Sequence, residues 1–350
     1  MTDSNVPGTL SDLITQARFK LRWFDLGRRV RSVPGNAAEA FEAGDAPWPH
    51  PYLREAWAGL LLWPEEGGEP AVWFLRLPLD EQGKLQLAAR DNFLALLNRK
   101  LTGGEDRDAG EQLGNVLAES GLVYSPPPER QATFHARAAR LLQRPASAHY
   151  QSALSYLRAP DSRAWNHLGL QGIADVSARW EEHGQLLGEA MARVAAPVFV
   201  SLCQCLESEA IDHRLAAAIA RRADAELQRQ QPEAAILAAA VRGLSFSRAR
   251  GLRHEFLERL LRSDKARAGE TLAAVGSRCP HDLEDPGLAA LWVTALADSQ
   301  KQETFNLLLA DLMFLPATRA ALLEALRSPD RSESLARAFG AFLHGPEPTH

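Results

Sequence analysis

The hydrophobic period of this chain changes once. Up to about residue 90 the apolar residues read mainly as short strands, alternating at Phe19, Leu21 and Trp23 and continuous over Ala56–Trp63, broken by turns rich in Gly and Pro. Beyond that point they recur three and four apart almost to the end. A period of two lines one face of a strand, and a period near 3.6 lines one face of a helix. The chain is therefore expected to be α+β: a small antiparallel N-terminal sheet followed by a mostly α-helical, solenoid-like region of helix-hairpin repeats. The aromatic residues divide in the same way. Five of the eight tryptophans, Trp23, Trp48, Trp57, Trp63 and Trp73, lie in the first 73 residues.

Local signals place the elements. Leu10, Leu13 and Ile14 give a short helix capped by Thr9 or Ser11. Phe19, Leu21 and Trp23 alternate with Lys20 and Arg22 as a half-buried strand, and a second strand is expected over Arg28–Val33 after a turn at Asp25–Gly27. A short helix is expected over Ala37–Ala43. The apolar runs Ala56–Trp63 and Ala71–Leu77, with Lys84–Ala88, complete a meander of four or five strands. Helices follow at Asp91–Leu101, Ala109–Ser120, Glu129–Gln143, Ser147–Leu157, Ile173–Val194 and Val198–Glu207. From residue 210 they pair as 212–229 with 232–243, 248–262 with 267–277, 286–298 with 301–313, and 317–327 with 331–343. Pair starts 36, 38 and 31 residues apart have the period of helix-hairpin repeats, without a repeat consensus. The sharpest break is Pro126-Pro-Pro128. It suggests an α+β module over 1–125 and an all-α array over 126–350.

Charge and composition narrow the function classes. The net charge is −5, which argues against a general polyanion binder. Arg supplies 34 of the 39 basic residues, a bias that goes with GC-rich coding and so says little about nucleic acid. The first residues lack the charged and apolar regions of a signal peptide, and no run of 18 apolar residues occurs, so a cytoplasmic protein without a membrane span is expected. Three cysteines are too few for a disulfide framework.

Five constellations are candidates for chemistry. In Asp25-Leu-Gly-Arg-Arg29, Gly27 would allow positive φ while Arg28 and Arg29 fork onto a carboxylate or phosphate. Trp73-Phe-Leu-Arg-Leu-Pro-Leu-Asp-Glu81 runs a buried strand into a turn that presents Asp80 and Glu81, although no further acid or His supports a metal site there. Cys203, Cys205, Cys279 and His281 have the atoms for zinc, but two cysteines two apart on a helix point away from each other, so buried thiols and no metal are expected. Gly169-Leu-Gln-Gly172 before Asp175 matches no phosphate-loop spacing and reads as a tight turn between helices. The belt Arg242–Arg267, with Arg250 and Arg253 near its middle, holds eight Lys/Arg but few aromatics for base stacking. No hydrolase, zinc-protease or kinase motif is present.

Taken together, Phe24-Asp-Leu-Gly-Arg-Arg29, Trp73-Phe-Leu-Arg-Leu-Pro-Leu-Asp-Glu81, Gly169-Leu-Gln-Gly-Ile-Ala-Asp175 and Cys203-Gln-Cys-Leu-Glu207 resemble an uncharacterised gammaproteobacterial, Pseudomonas-like family of unknown function. The resemblance implies a bacterial cytosolic protein and brings no activity, cofactor or catalytic residue. Residues and resemblance together point to a non-enzymatic scaffold or adaptor with a protein partner and no cofactor. Its helical array would offer a binding surface, and the aromatic module a second one with Arg28 and Arg29 near its rim. One alternative is an anion-binding enzyme or ligand sensor that uses Asp25, Asp80 and Glu81 in a pocket between sheet and helices. A third reading is a nucleic-acid-associated factor using the 242–267 belt.

Overall fold

A computed structural model describes residues 8–102, 120–160 and 163–344. The protein is α+β, with four antiparallel strands preceding most of sixteen α-helices among the described residues. Contacts divide the chain into two compact units, Met1–Pro127 and Pro128–His350. The expected helix over Ala109–Ser120 lies outside the described residues, apart from its last position.

In the first unit, α1 (Leu10–Gln16) begins where the Thr9 hydroxyl accepts the Asp12 amide. β1 (Phe19–Asp25) is followed by β2 (Arg31–Ser32), α2 (Gly35–Glu42), β3 (Glu55–Pro64), β4 (Ala71–Pro78) and α3 (Leu87–Thr102). The strand order is β2-β1-β3-β4. This is not a meander: after β2 the chain carries α2 across and returns on the opposite edge of β1. Trp23 lies opposite Leu60, which in turn lies opposite Trp73. The buried face continues into Phe41 and Trp48, whose rings stand 4.9 Å apart, and Trp23 sits 6.1 Å from Trp48. The strand expected at Arg28–Val33 shrinks to two residues, because Leu26–Val30 form a buried corner. Lys84–Ala88 supplies only a bridge between Leu79 and Leu85, since α3 starts at Leu87.

The second unit consists of α4 (Pro128–Leu141), α5 (Tyr150–Arg158), α6 (Leu170–Ala178), α7 (Trp180–Ala190), α8 (Ala196–Leu206), α9 (His213–Gln228), α10 (Ala234–Leu244), α11 (Arg250–Arg262), α12 (Gly269–Arg278), α13 (Pro286–Ser299), α14 (Gln302–Met313), α15 (Pro316–Arg327) and α16 (Glu333–His344). Each helix packs on the next but one, so α4, α6, α8, α10, α12 and α14 form one row and α5, α7, α9, α11, α13 and α15 another. One buried cluster runs from Ala132 to Ala338, rich in Ala and Leu. The abundance of Ala lets neighbouring helix backbones approach closely while still removing apolar surface from water. The single helix expected over Ile173–Val194 is two, α6 and α7. Arg179 between them leaves helical geometry, and its guanidinium turns back to the Asp175 carbonyl at 3.2 Å.

Candidate functional site

The Asp25–Arg29 segment is a structural corner. Asp25 is fully buried at the end of β1, and its Oδ1 accepts the Gly27 amide at 3.3 Å and the Trp48 indole N–H at 3.1 Å. Arg31 Nε stands 3.8 Å from Oδ2, and burial lowers the Arg31 pKa while Asp25 opposes that shift. Gly27 does not adopt the left-handed conformation expected of it. It is small because a Cβ there would meet Tyr52 Cβ at 3.0 Å and the Trp57 ring at 3.2 Å. Arg28 and Arg29 are only 3% and 4% exposed and form no open rim. Arg28 Nε donates to the Pro51 carbonyl at 2.9 Å, and its guanidinium lies 5.4 Å over the Tyr52 ring. A guanidinium at that depth must be met by acceptors and ring faces of the protein, which explains why two arginines persist in a corner.

Trp73 is half-buried on β4. Asp80 and Glu81 are exposed on the turn beyond that strand. Asp80 Oδ1 accepts the amides of Gln82 at 2.8 Å and Lys84 at 2.9 Å, and Gly83 completes the turn with φ +78°. Asp80 thus builds its own turn. Asp25 is sealed in the interior while Asp80 and Glu81 face solvent, so the three carboxylates proposed for a common pocket are not brought together at one surface.

The other constellations are also absorbed by the fold. A Cβ on Gly172 would lie 2.4 Å from the His149 carbonyl, and one on Gly169 would lie 3.0 Å from the His149 ring. The space a phosphate would need is filled by the start of α5, while Asp175 accepts the Ser147 amide at 3.0 Å. Cys203, Cys205 and Cys279 are buried thiols. Burial raises the pKa of Cys203, and pushes that of Cys205 to about 12. Cys203 Sγ packs 3.0 Å from the Cβ position of Gly243 on α10, and the His281 side chain is 75% exposed and paired with Glu284.

In the basic belt, Arg253 is buried and its Nε contacts both oxygens of Asp282 at 2.9 Å. Arg242 bonds Glu207, Arg259 bonds Asp224, Arg262 bonds Glu258, and Arg267 meets Asp264 and Asp298. Lys265 donates to the Leu227 and Arg229 carbonyls, and Arg248 pairs with Glu181. Among the described residues only Arg250 remains an exposed belt cation with no side-chain hydrogen bond or ion pair. Most of the charge that would have drawn a polyanion is neutralised locally.

The strongest electrostatic feature was not foreseen from sequence. Glu207, just past α8, is buried among Arg242 Nε at 2.7 Å, Arg278 Nε at 2.9 Å and Arg130 Nη2 at 3.6 Å. Burial raises its pKa, but the three guanidinium groups outweigh that and hold it at about 2. Arg242 and Arg278 follow Glu207 by 35 and 71 residues. That spacing is close to one and two helix pairs, and it is the one signal that could have connected them.

Open surface is found elsewhere. Three grooves of the second unit lie on helices of a single row: about 490 Å³ between α7 and α9, about 570 Å³ between α11 and α13, and about 550 Å³ along α15. Buried Ala218 and Leu288 lie in the first two grooves, and exposed charged residues such as Arg221, Arg262 and Glu324 line the three. In the first unit a groove of about 540 Å³ runs beside β1. No described helix is long and apolar enough to cross a membrane.

Fold and surfaces together define an α+β protein whose helical part presents a row of shallow amphipathic grooves. The chain matches, over residues 7–343, the family described as Protein of unknown function (DUF3549), and it belongs to that family. No curated protein and no solved structure matches it.

Proposed function

We propose that this chain is a non-enzymatic protein-interaction module, a scaffold or adaptor, whose partner lies along the second unit. The observation that carries this reading is the set of three grooves on one row of stacked helices. Stacked helix pairs of this neighbour pattern act as solenoids, which bind through extended surfaces rather than one deep pocket. Apolar floors with charged rims have the anatomy of a protein interface. The family resemblance implies a bacterial, gammaproteobacterial cytosolic setting, with which the Arg-over-Lys and Ala bias of GC-rich coding agrees.

The test is a crosslinked pull-down of the full chain from native-host cytosol, with and without nuclease. Ala225→Trp and Ala290→Trp, which fill the first two grooves, serve as comparisons. A stoichiometric protein that survives nuclease and is lost from the filled variants is the expected result. Loss of all bound material on nuclease treatment would move the reading to nucleic acid. A partnerless chain, or a partner indifferent to both fillings, would sink the groove assignment.

A further inference from the structure

The first half of β1 has one edge closed by β3 and the other edge open. The parity of its ladder follows from the bonds at its ends. Leu26 N donates to the Trp57 carbonyl at 2.7 Å, and Glu65 N donates to the Arg18 carbonyl at 3.1 Å, so even-numbered positions turn their backbone groups towards β3. Val33 N donates to the Trp23 carbonyl at 2.8 Å, so odd-numbered positions turn towards β2. β2 reaches only Phe24 and Asp25 in register. Phe19 and Leu21 therefore direct their N–H and C=O groups to a side where no described strand lies.

The groove of about 540 Å³ borders that side, lined by Thr15 of α1 and by Ala38 and Glu39 of α2, and it reaches over the strand to Trp63 and Glu65. The strand offers different chemistry on its two faces. Phe19, Leu21 and Trp23 are apolar on one. Lys20, opposite Trp63, and Arg22 are cationic on the other, and neither pairs with a carboxylate among the described residues. Unpaired strand edges accept an added strand through main-chain bonds, with alternate side chains setting specificity. A second copy of this chain is a poor occupant, because antiparallel pairing about Leu21 would set Lys20 against Arg22, and like charges placed opposite repel. The same charges attract alternate carboxylates. Glu39, on the α2 wall beside the apolar face, and Glu65, next to Arg18, keep acidic residues off those positions.

We propose that the open edge of β1 is a β-augmentation site for an extended segment of a partner protein in which acidic and small apolar residues alternate. This site is independent of the helical grooves and stands or falls without them. The test uses the full chain and a fluorescein-labelled octapeptide of alternating Glu and Val, read by anisotropy. Controls are a peptide of the same composition in two blocks and one N-methylated at alternate backbone positions.

Saturable binding of the alternating peptide is expected, with the block peptide weaker by about tenfold or more and the N-methylated peptide silent. Lys20→Glu with Arg22→Glu should weaken binding roughly tenfold while leaving the circular dichroism spectrum unchanged. Leu21→Pro, which removes an edge donor but no sheet bond, should abolish it. If Leu21→Pro unfolds the first unit, the N-methylated peptide still decides the question. No saturation up to millimolar peptide would overturn the proposal. So would equal affinity for the block or N-methylated peptide, or indifference to the double charge reversal.

Discussion

Both units bury glutamate, and Glu42 of the first and Glu207 of the second are treated in opposite ways. Glu42, at the end of α2, accepts the amides of Leu10 at 2.9 Å and Ser11 at 3.2 Å, and the Ser11 hydroxyl. Its donors are neutral, so burial wins and its pKa is raised. Glu207 is buried as deeply, but three guanidinium groups overcome the desolvation and hold it at about 2. Burial alone does not decide whether a carboxylate resists or favours ionisation; the number of cations around it counts too, since Arg137 beside Glu209 leaves that pKa raised while three guanidinium groups bring Glu207 down. Glu42 caps the start of α1 from a distance, a local task for which amide donors suffice. Glu207 ties together α4, α10 and α12 through Arg130, Arg242 and Arg278.

The largest effect that would break this contrast is the loss of the Glu207 charge. Glu207→Gln should destabilise the second unit by about 3–5 kcal/mol, because it removes the buried charge that Arg130, Arg242 and Arg278 share. Far-UV circular dichroism, dominated by helices, would follow its melting. A change under 1 kcal/mol would mean that water or rearrangement already screens the cluster.

Acid should separate the units next. The folded pKa of Glu207 lies below its unfolded value, so its contribution is full above about pH 4.5 and is lost as pH falls towards about 2, roughly 3 kcal/mol in all. Glu42 has the opposite sign. Its folded pKa is raised above 4.5, so stability is greatest below pH 4.5 and declines as pH rises through the folded value. Tryptophan fluorescence, weighted to the first unit, should therefore report an acid midpoint below that of the helical signal. Coincident midpoints would show that these two groups do not set the response.

Arg28→Ala should lower first-unit stability by about 2–3 kcal/mol, since it orphans the Pro51 carbonyl and removes ring stacking. An unchanged melt with lost partner binding would restore Arg28 to a surface role. Smallest of all, Glu42→Gln should shift stability at neutral pH by under about 1 kcal/mol, because it mimics the protonated acid, and should flatten the pH trend of the first unit. A trend that persists in the variant would assign it to another group.

Periodicity made much of the fold legible. The paired helices after residue 210 appear within about two residues of their expected ends, because Gly, Pro and Asp caps punctuate strongly amphipathic runs. α9, for example, starts after Asp212, whose Oδ1 accepts the Leu215 amide at 2.9 Å. The break at Arg179 was hidden, since no Gly or Pro marks it and the apolar stripe continues through it. The turn at Leu53 and Arg54 was hidden for a related reason. Both residues have positive φ, 52° and 61°, between the reciprocal Tyr52–Glu55 bonds, and neither is a residue that advertises such a turn.

The candidate sites were less legible. Asp25, Arg28 and Arg29 were singled out as a surface anion grip, and the fold makes them an interior corner. Sequence by itself determined where strands give way to helices and which faces are apolar, because period and capping are local properties of the chain. Tertiary structure alone decided which charges are buried, which are neutralised and which strand edge stays open. Those outcomes depend on partners such as Trp48 for Asp25 and Arg278 for Glu207, brought close from distant sequence positions by packing that no local pattern encodes.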